Sequence, residues 1–535
     1  MNSRNIPIPV HDLMAWLGAP GELAVLDVRE EGVFANGHML WASNVPLSRL
    51  ELLIRDLVPR LSASLVLCDD GDGLAPRAAA RLESFGYDDV KILEGGVQAW
   101  AQAGFELFSG LNVPSKAFGE FIEEECGTPH IAAAELKRRL DAGEDLIILD
   151  ARPMNEFNRM NIPGAIDCPG AELAYRIQDL APSPETRIVV NCAGRTRSII
   201  GAQTLINSGV SNQVSALENG TMGWHLTGYE LEHGQDRPPP AVSDEGLIIA
   251  RARARDMAAR FGVKAIDRAT LAQWRAECDR RTLYVFDVRG PDEFEAGHLP
   301  GAVPAQGVQL VQRTEAFIAV RGARIVLVDD TGVRAMVTAS WLVQMGFDDI
   351  HVLEPGIGDG DGLETGPHHP LIPGQGDTDA ATITPQELRA VAEQDGVVVI
   401  DFARSLDYGA GHIPGAWFAI RARLGDSFAN IPDACMLVLT SDNGTLARLA
   451  AADVQGLTTA AVKVLDGGTQ AWRGAGYALQ DGLTNLADKT DDAFWRPYER
   501  SAGAEAAMTA YLDWELGLME QIARDGTARF RTFPR

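Results

Sequence analysis

The sequence predicts an α/β protein of four tandem domains, each a small, mainly parallel sheet with helices on both faces, followed by a C-terminal helical extension. Three observations predict this architecture. The chain has 535 residues, which is too long for one hydrophobic core and suits three to four domains. One composite motif occurs four times. Within each copy, short apolar runs alternate with segments of helical spacing, as in a parallel sheet buried on both faces.

The four copies of the motif open alike. A short apolar run ends in an aspartate, and an arginine follows shortly after; these aspartates are Asp27, Asp150, Asp287 and Asp401. The arginine of the fourth copy, Arg404, stands one position later than in the other three. A Gly-His-x-Pro-Gly-Ala element comes next, complete in the third and fourth copies and half kept in the first and second. This self-similarity predicts repeated domains.

The copies also close alike, with a strand and a glycine-containing turn that precedes Trp100, Trp224 and Trp472 in all but the third copy. These landmarks predict domains at residues 1–110, 128–234, 264–366 and 380–482, and an extension at residues 483–535. Linkers rich in proline and glycine follow from composition at residues 234–243 and 366–379. Helical spacing predicts a helix at residues 246–261 and another at residues 504–523, the latter packed on a domain or on a partner subunit.

Composition and charge exclude several classes of function. The net charge of -27 repels nucleic acid and anionic membranes. The N-terminus has no basic start before an apolar core, and no run of about 18 apolar residues occurs, so we expect a cytoplasmic protein. Six scattered cysteines without zinc-ligand spacing predict reduced thiols and no metal. An anionic substrate would need local positive charge.

One cysteine, Cys192, has the surroundings of an activated nucleophile. It follows an apolar run at residues 187–190, and the loop after such a strand is where ligands bind in parallel sheets. Arg195 and Arg197 stand beside it. A thiol pKa of about 8.5 falls to roughly 3.5 to 7.5 beside positive charge or a helix N-terminus. The two arginines would also attract an anionic substrate.

The backbone of this loop is expected to contribute as well. If Ser198 opens a helix, the amides of the loop converge on the sulfur, and Gly194 supplies a positive φ for a tight cradle. Ala193 and Thr196 complete the predicted substrate-binding loop. Cys168 belongs to the same domain, and packing is the simpler explanation for it, although a role as a second thiol stays open.

The other three copies lack the cysteine. At the aligned position they hold Asp69, Asp329 and Ser441, whereas Cys68 aligns with Asn191 at the end of the strand. Neither a carboxylate nor a hydroxyl replaces a thiolate, and the acidic loops of the first and third copies would repel an anion. We therefore predict that only the second domain is catalytic.

Taken together, the Asp-x-Arg opening, the Gly-His-x-Pro-Gly-Ala element, the Cys-led loop and the Gly-Gly-x-x-x-Trp ending resemble the rhodanese homology domain, a sulfurtransferase module. The resemblance covers most of the chain. It implies a persulfide on Cys192, thiosulfate as a common donor, a thiol or cyanide as acceptor, and no cofactor. Asp150 and Arg152 match the family's opening motif, and an ion pair that ties a strand end to a loop is the simpler role for them. Trp224 is expected to pack at the start of the last helix or to form an apolar wall near the loop.

Alternatives from other classes stay open. Phosphatases of this fold use a Cys-x5-Arg loop, but Arg197 gives Cys-x4-Arg, one residue short for a phosphate. Three degenerate loops also fit a binding or scaffold protein. A glutathione persulfide or a protein acceptor suits the two arginines as well as thiosulfate does, and the C-terminal helix is the one feature that points to a homodimer.

Overall fold

The computed structural model describes residues 6–358, 360, 362–376, 380–500 and 502–534. Within them, four sheets of mainly parallel strands confirm the predicted α/β class and the tandem repeat. Parts of four sequence predictions lie outside the described residues: residues 1–5 of the first domain, residues 359 and 361 of the third domain, residues 377–379 of the second linker, and residues 501 and 535 of the extension.

The first unit contains five strands and five helices: β1 (Ile6–Ile8), α1 (Val10–Gly18), β2 (Leu23–Asp27), α2 (Glu31–Phe34), β3 (Ala42–Asn44), α3 (Leu50–Leu57), β4 (Leu65–Cys68), α4 (Leu74–Ser84), β5 (Val90–Leu93) and α5 (Gly96–Gln102). Its strands are parallel in the order β1-β5-β4-β2, and β3 pairs with β2.

The second unit follows helix α6 (Val113–Cys126), which the sequence analysis left unassigned. Its elements are β6 (His130–Ile131), α7 (Ala133–Asp141), β7 (Leu146–Asp150), α8 (Met154–Arg159), β8 (Ile166–Asp167), α9 (Glu172–Leu180), β9 (Arg187–Asn191), α10 (Thr196–Asn207), β10 (Val214–Leu217) and α11 (Gly220–Leu226). The strand order is β6-β10-β9-β7-β8, so β9 is central.

The third unit follows helix α12 (Asp244–Phe261), which confirms the helix predicted at residues 246–261 and is capped by the Ser243 side chain. Its elements are β11 (Lys264–Ile266), α13 (Arg268–Ala276), β12 (Leu283–Asp287), α14 (Pro291–Ala296), β13 (Val303–Pro304), α15 (Gly307–Gln312), β14 (Val320–Arg321), β15 (Arg324–Val328), α16 (Val333–Gln344) and β16 (Ile350–Leu353). The order β11-β16-β15-β12-β13 repeats that of the second unit.

The fourth unit and the extension complete the chain. The unit contains β17 (Ala381–Ile383), α17 (Pro385–Val391), β18 (Val397–Asp401), α18 (Ser405–Ala410), β19 (Trp417–Phe418), α19 (Leu424–Ser427), β20 (Met436–Thr440), α20 (Thr445–Gln455), β21 (Ala461–Leu465) and α21 (Gly468–Gly474). The extension forms two helices, α22 (Ala504–Leu516) and α23 (Leu518–Asp525), where one was predicted.

The four units pack into one body. Strand β14 of the third unit pairs antiparallel with β2 of the first, with Val320 opposite Ala24. Buried apolar residues of all four units belong to one continuous cluster. Across the interface of the second and third units, the Trp341 indole N–H donates to the Thr204 hydroxyl at 2.9 Å. This packing brings segments that are distant in sequence next to the second sheet.

No helix within the described residues is long and apolar enough to span a membrane.

Candidate active site

Cys192 lies directly after β9, at the carboxyl end of the central strand of the second sheet, and only 2% of the residue is exposed. Helix α10 begins at Thr196, two residues before the start predicted at Ser198. The first N–H groups of a helix have no partner within it, so the loop presents free donors next to the cysteine. The sulfur therefore stands where an anion is stabilised.

The start of α11 fixes the loop. The backbone N–H and the hydroxyl of Thr221 donate to the Cys192 carbonyl at 2.7 and 2.8 Å, and the Met222 N–H donates to the Ala193 carbonyl at 2.9 Å. A Cβ on Gly220 would lie 2.4 Å from the Cys192 carbonyl oxygen, and its φ is +55°. Only glycine permits this approach.

The prediction that Gly194 supplies a positive φ is wrong, because Gly194 is not among the residues with positive φ. Gly194 is instead suited to this position because a side chain there would crowd its neighbours. A Cβ there would lie 3.1 Å from Met222 Cε and 3.2 Å from Oε2 of Glu515, a residue of α22. Gly194 therefore lets the C-terminal extension pack directly on the Cys192 loop.

Arg197 lies beside the cysteine and forms a two-pronged ion pair with Glu156 of α8, at 2.8 and 2.7 Å. Burial alone would lower the pKa of Arg197, but Glu156 and, to a smaller extent, Cys192 raise it above its usual value. Burial acts to raise the pKa of Glu156, yet Arg197 outweighs it and lowers that pKa to about 2. The pair stays ionised beside the thiol.

Arg195 is differently placed. Its guanidinium donates to both carboxylate oxygens of Glu120 at 2.7 Å and also to Glu123, both on α6. These carboxylates occupy Nε and one terminal nitrogen of Arg195 and place two negative charges beside it, so they compete with an anionic substrate. The predicted contact between Arg195 and the donor stays a prediction, and the geometry favours Arg197 for that role.

Two hydroxyls of the predicted loop are buried in the first turn of α10. Thr196 and Ser198 are both nearly inaccessible, and neither side-chain oxygen has a hydrogen-bond partner among the described residues. Gly119 of α6 packs against Thr196, since a Cβ there would lie 3.0 Å from its Cα. Helix α6 thus covers one side of the loop.

The motif residues of the second unit form buried hydrogen bonds and apolar contacts that stabilise the unit around the site. Arg152 donates to both carboxylate oxygens of Asp150 at 2.9 and 2.7 Å and to the Met160 carbonyl at 2.6 Å. The Asn191 amide, next to Cys192, donates to Asp150 at 3.0 Å. Trp224 packs in the apolar core of the unit and donates to a backbone carbonyl at 2.9 Å. All are buried, and none lines the cavity described next.

A cavity of about 290 Å³ opens beside Ala193 and Arg197. Its wall comes from the second unit, α6, the other three units and the extension. Five cations face it, against three carboxylates: Lys116, Arg197, Arg313, Arg404 and Arg496, with Glu31, Glu156 and Glu499. In a strongly acidic chain this is the local positive charge that an anionic substrate requires.

Most of these cavity residues were missed by the sequence analysis because they lie far from the catalytic motif in sequence. One signal was present. The extra residue between Asp401 and Arg404 breaks the Asp–Arg pair seen in the other units, and Arg404 instead donates to Glu31 of the first unit at 2.6 Å. The insertion redirects this arginine into the cavity.

Two other cysteines are buried without such surroundings. Burial raises the pKa of Cys68 and of Cys168 well above the usual value of a thiol. Both are fully inaccessible. They are thus protonated and inert, as expected of packing residues.

In the other three loops a native side chain takes the amide donors. Asp69 accepts from the N–H groups of Gly71 and Ala75, both at 2.9 Å. Asp329 accepts from Gly332 at 2.7 Å and from Arg334 at 3.0 Å. The Ser441 hydroxyl accepts from Ala447 at 3.2 Å. A built-in acceptor therefore replaces the anion that these loops could otherwise bind.

A cysteine between a parallel strand and the start of a helix, next to a cationic cavity, is typical of enzymes that use a thiolate as nucleophile. The rhodanese-like domain family matches residues 10–103, 132–227, 268–359 and 384–475, more than half of the chain. The chain therefore belongs to this family, and it is a rhodanese-type enzyme.

Two of the similar proteins are thiosulfate sulfurtransferases, and a third is a transcriptional regulator. A crystal structure of thiosulfate sulfurtransferase from Pseudomonas aeruginosa is 50% identical, with a TM-score of 0.95, and the match covers 99% of this chain and 100% of that one. Thiosulfate sulfurtransferase GlpE from Pseudoalteromonas translucida is 26% identical over 16% of this chain and 82% of its own. An HTH-type transcriptional regulator from Mycobacterium tuberculosis is 36% identical over 110 residues. These residues make up 20% of this chain and 47% of that relative.

Proposed function

We propose that the protein is a sulfurtransferase that moves a sulfane sulfur from thiosulfate, or a related donor, through a Cys192 persulfide to a thiophilic acceptor such as cyanide or a thiol. One observation carries the proposal: among the four loops, this one alone offers a cysteine in place of a built-in acceptor, and a cationic cavity opens beside it. The name of the full-length Pseudomonas aeruginosa relative supports thiosulfate as donor.

The reaction is a double displacement. The Cys192 thiolate attacks the outer sulfur of thiosulfate, the S–S bond of the donor breaks, and sulfite leaves with the electron pair. The new S–S bond is the persulfide. Cyanide or a thiolate then attacks the terminal sulfur, which gives thiocyanate or a new persulfide and regenerates the Cys192 thiolate. The ion pair of Arg197 and the amides of α10 stabilise the negative charge in both halves.

The other three units are proposed to be inactive in catalysis and to build the cavity and the core. The protein is proposed to act in the cytoplasm on small anionic donors, without nucleic acid or membrane partners. A homodimer stays a prediction. The extension that prompted it packs on its own chain, where Met508 and Leu512 contact Met222.

Intact mass spectrometry tests the proposal directly. After incubation with thiosulfate, the wild type should gain one sulfur atom, and cyanide should remove it. Cys192→Ser should gain none and should lose turnover, whereas Cys168→Ser is the matched control and should behave as the wild type. Undiminished turnover in Cys192→Ser would contradict the mechanism.

A further inference from the structure

Lys116 is a buried cation on the wall of the cavity, and its ammonium has donors to spare. The residue lies on α6 and is only 4% exposed. Its Nζ donates to the Tyr511 hydroxyl. Among the described residues, the one carboxylate at ion-pair distance is that of Glu515, whose Oε1 lies 3.8 Å away, beyond a hydrogen bond. Since an ammonium carries three donors, Lys116 can still bind an anion.

The C-terminal extension holds this ammonium in place. Lys116 Nζ lies 4.1 Å from the centre of the Tyr511 ring and 4.6 Å from that of Trp514, both on α22. Cation–π contacts of this kind stabilise a desolvated cation. Such a buried charge is costly unless it is paired or bound to a ligand. The two rings therefore offset part of the cost of burying the ammonium and leave donors of Lys116 unfilled.

The same helix contacts the catalytic loop. A Cβ on Gly194 would lie 3.2 Å from Glu515 Oε2 and 3.6 Å from Tyr511 Cε1. Glu515 is 2% exposed, and its Oε2 has no hydrogen-bond partner among the described residues. Lys116, α22 and the Cys192 loop therefore meet at one end of the cavity.

Two of the other cations that face the cavity are paired with carboxylates, whereas Arg313 and Arg496 are exposed to solvent. Arg197 spends two donors on Glu156, and Arg404 donates to Glu31 at 2.6 Å. Lys116 is the buried cation that faces the cavity without a carboxylate at hydrogen-bond distance within the described residues. A small dianion that reaches Cys192 would complete its coordination.

We propose, on the basis of the proposed function, that Lys116 binds the sulfonate group of the sulfur donor and that Tyr511 and Glu515 of the extension position it, so that the extension is part of the active site. When the donor S–S bond breaks, its electron pair passes to the sulfite leaving group. Lys116 stabilises that growing charge, and the second half-reaction with cyanide does not need it.

Binding and turnover of the full-length protein test this role separately. Cys192→Ser cannot react, so its affinity for thiosulfate can be measured by calorimetry. The single variant Cys192→Ser is compared with the double variant that also carries Lys116→Met. We expect about a tenfold weaker affinity, the loss typical of one hydrogen bond to a charged group. In proteins that retain Cys192, Lys116→Met should raise the thiosulfate KM by a similar factor. The rate at which the preloaded persulfide passes sulfur to cyanide should stay unchanged.

Two further variants complete the design. Lys137→Met, at a more exposed lysine of α7, is the matched control and should bind thiosulfate as the parent does. Tyr511→Phe keeps Lys116 but removes its hydroxyl partner, so it should weaken binding in the same direction and covers the case in which Lys116→Met does not fold.

Several outcomes would contradict the proposed role of Lys116. Equal thiosulfate affinity in the two Cys192→Ser proteins, or no binding to either, overturns the role of Lys116. So does a cyanide step that slows as much as the thiosulfate step, because that result indicates a structural role. If the wild type never gains sulfur, the persulfide proposal fails, whereas the affinities still decide whether Lys116 binds the donor.

Discussion

At the scale of single residues, the two arginines of the catalytic loop have different partners and should fail differently. Arg197→Met removes a charge next to Cys192, so we expect kcat/KM for thiosulfate to fall roughly 10- to 100-fold. Arg195→Met instead leaves Glu120 and Glu123 without their partner. Breaking a buried ion pair costs about 3 to 5 kcal/mol, so urea unfolding should show a loss of stability for both variants, since Arg197→Met likewise leaves Glu156 unpaired. The large loss of activity in the folded protein should be confined to Arg197→Met. The interpretation is wrong if the folded Arg195→Met protein loses more activity than Arg197→Met.

Lys116 gives the donor step a specific pH dependence. Burial lowers the pKa of Lys116 to about 8, with Arg197 and Arg496 adding to the effect and Glu515 and Glu315 opposing it. The ammonium is charged below that pH and neutral above it. The thiosulfate KM should therefore rise between about pH 7 and pH 9.

The control for this pH profile is Lys116→Arg. Arginine keeps its charge throughout the range, so the KM of the variant should stay level between the same pH values, whatever its absolute size. Tyr511, whose hydroxyl also faces Lys116, has a pKa that burial raises well above its usual value, so it does not titrate here. Parallel profiles in the two proteins would assign the titration to another group.

At the scale of elements, the starts of α10 and α11 shape the loop, and two glycines there serve different purposes. Gly220→Ala places a Cβ 2.4 Å from a backbone oxygen at a φ of +55°, so we expect several kcal/mol of destabilisation and loss of activity. Gly194→Ala meets only the ends of Met222 and Glu515, which can shift. It should cost about 1 kcal/mol and mainly disturb the extension. Thermal unfolding compares the two, and equal losses would contradict this ranking.

The loop of the third unit tests whether a cysteine alone makes a site. Asp329→Cys recreates Cys-x4-Arg, because Arg334 stands where Arg197 does. Yet Arg334 already donates to Glu172, Glu293 and Asp330. These carboxylates would repel thiosulfate, so Asp329→Cys in a Cys192→Ser background should gain no sulfur by mass spectrometry. A persulfide there would show that the surrounding charges matter less than the loop itself.

Elements with a local signal were predictable from the sequence. The repeated apolar runs end at Asp27, Asp150, Asp287 and Asp401, which close the strands β2, β7, β12 and β18 in the structure. Helix α12 was predicted from its helical spacing, and its N-terminal end has a serine cap. By contrast, α6 lies between two motifs, and the two residues of β14 acquire their strand character from pairing with β2 of another unit. Contacts of that kind leave no periodicity in the sequence.

At the scale of the whole molecule, contacts between units leave no pattern in the sequence, and this explains which part of the site could be predicted. Cys192 and Arg197 belong to one local motif, so comparison of the copies located them. Lys116, Arg404 and Tyr511 reach the cavity only because four units and the extension pack into one body. In the sequence, each looks like an ordinary polar residue. The displaced arginine of the fourth unit was the one irregularity that marked such a residue in advance.

Arg404 therefore provides a test of whether the units without the cysteine shape catalysis. It belongs to the fourth unit, yet it faces the cavity beside Cys192 and pairs with Glu31 of the first unit. Arg404→Gln should raise the thiosulfate KM severalfold at low salt, because one of five cavity cations is lost, and should leave kcat nearly unchanged.

The matched control is Arg473→Gln, at an exposed arginine of α21 in the same unit, and it should leave the KM unchanged. Added salt should reduce the difference in KM between the wild type and Arg404→Gln, because screening weakens the electrostatic attraction of both proteins for thiosulfate. Identical KM values for Arg404→Gln and Arg473→Gln would confine the active site to the second unit and its immediate neighbours.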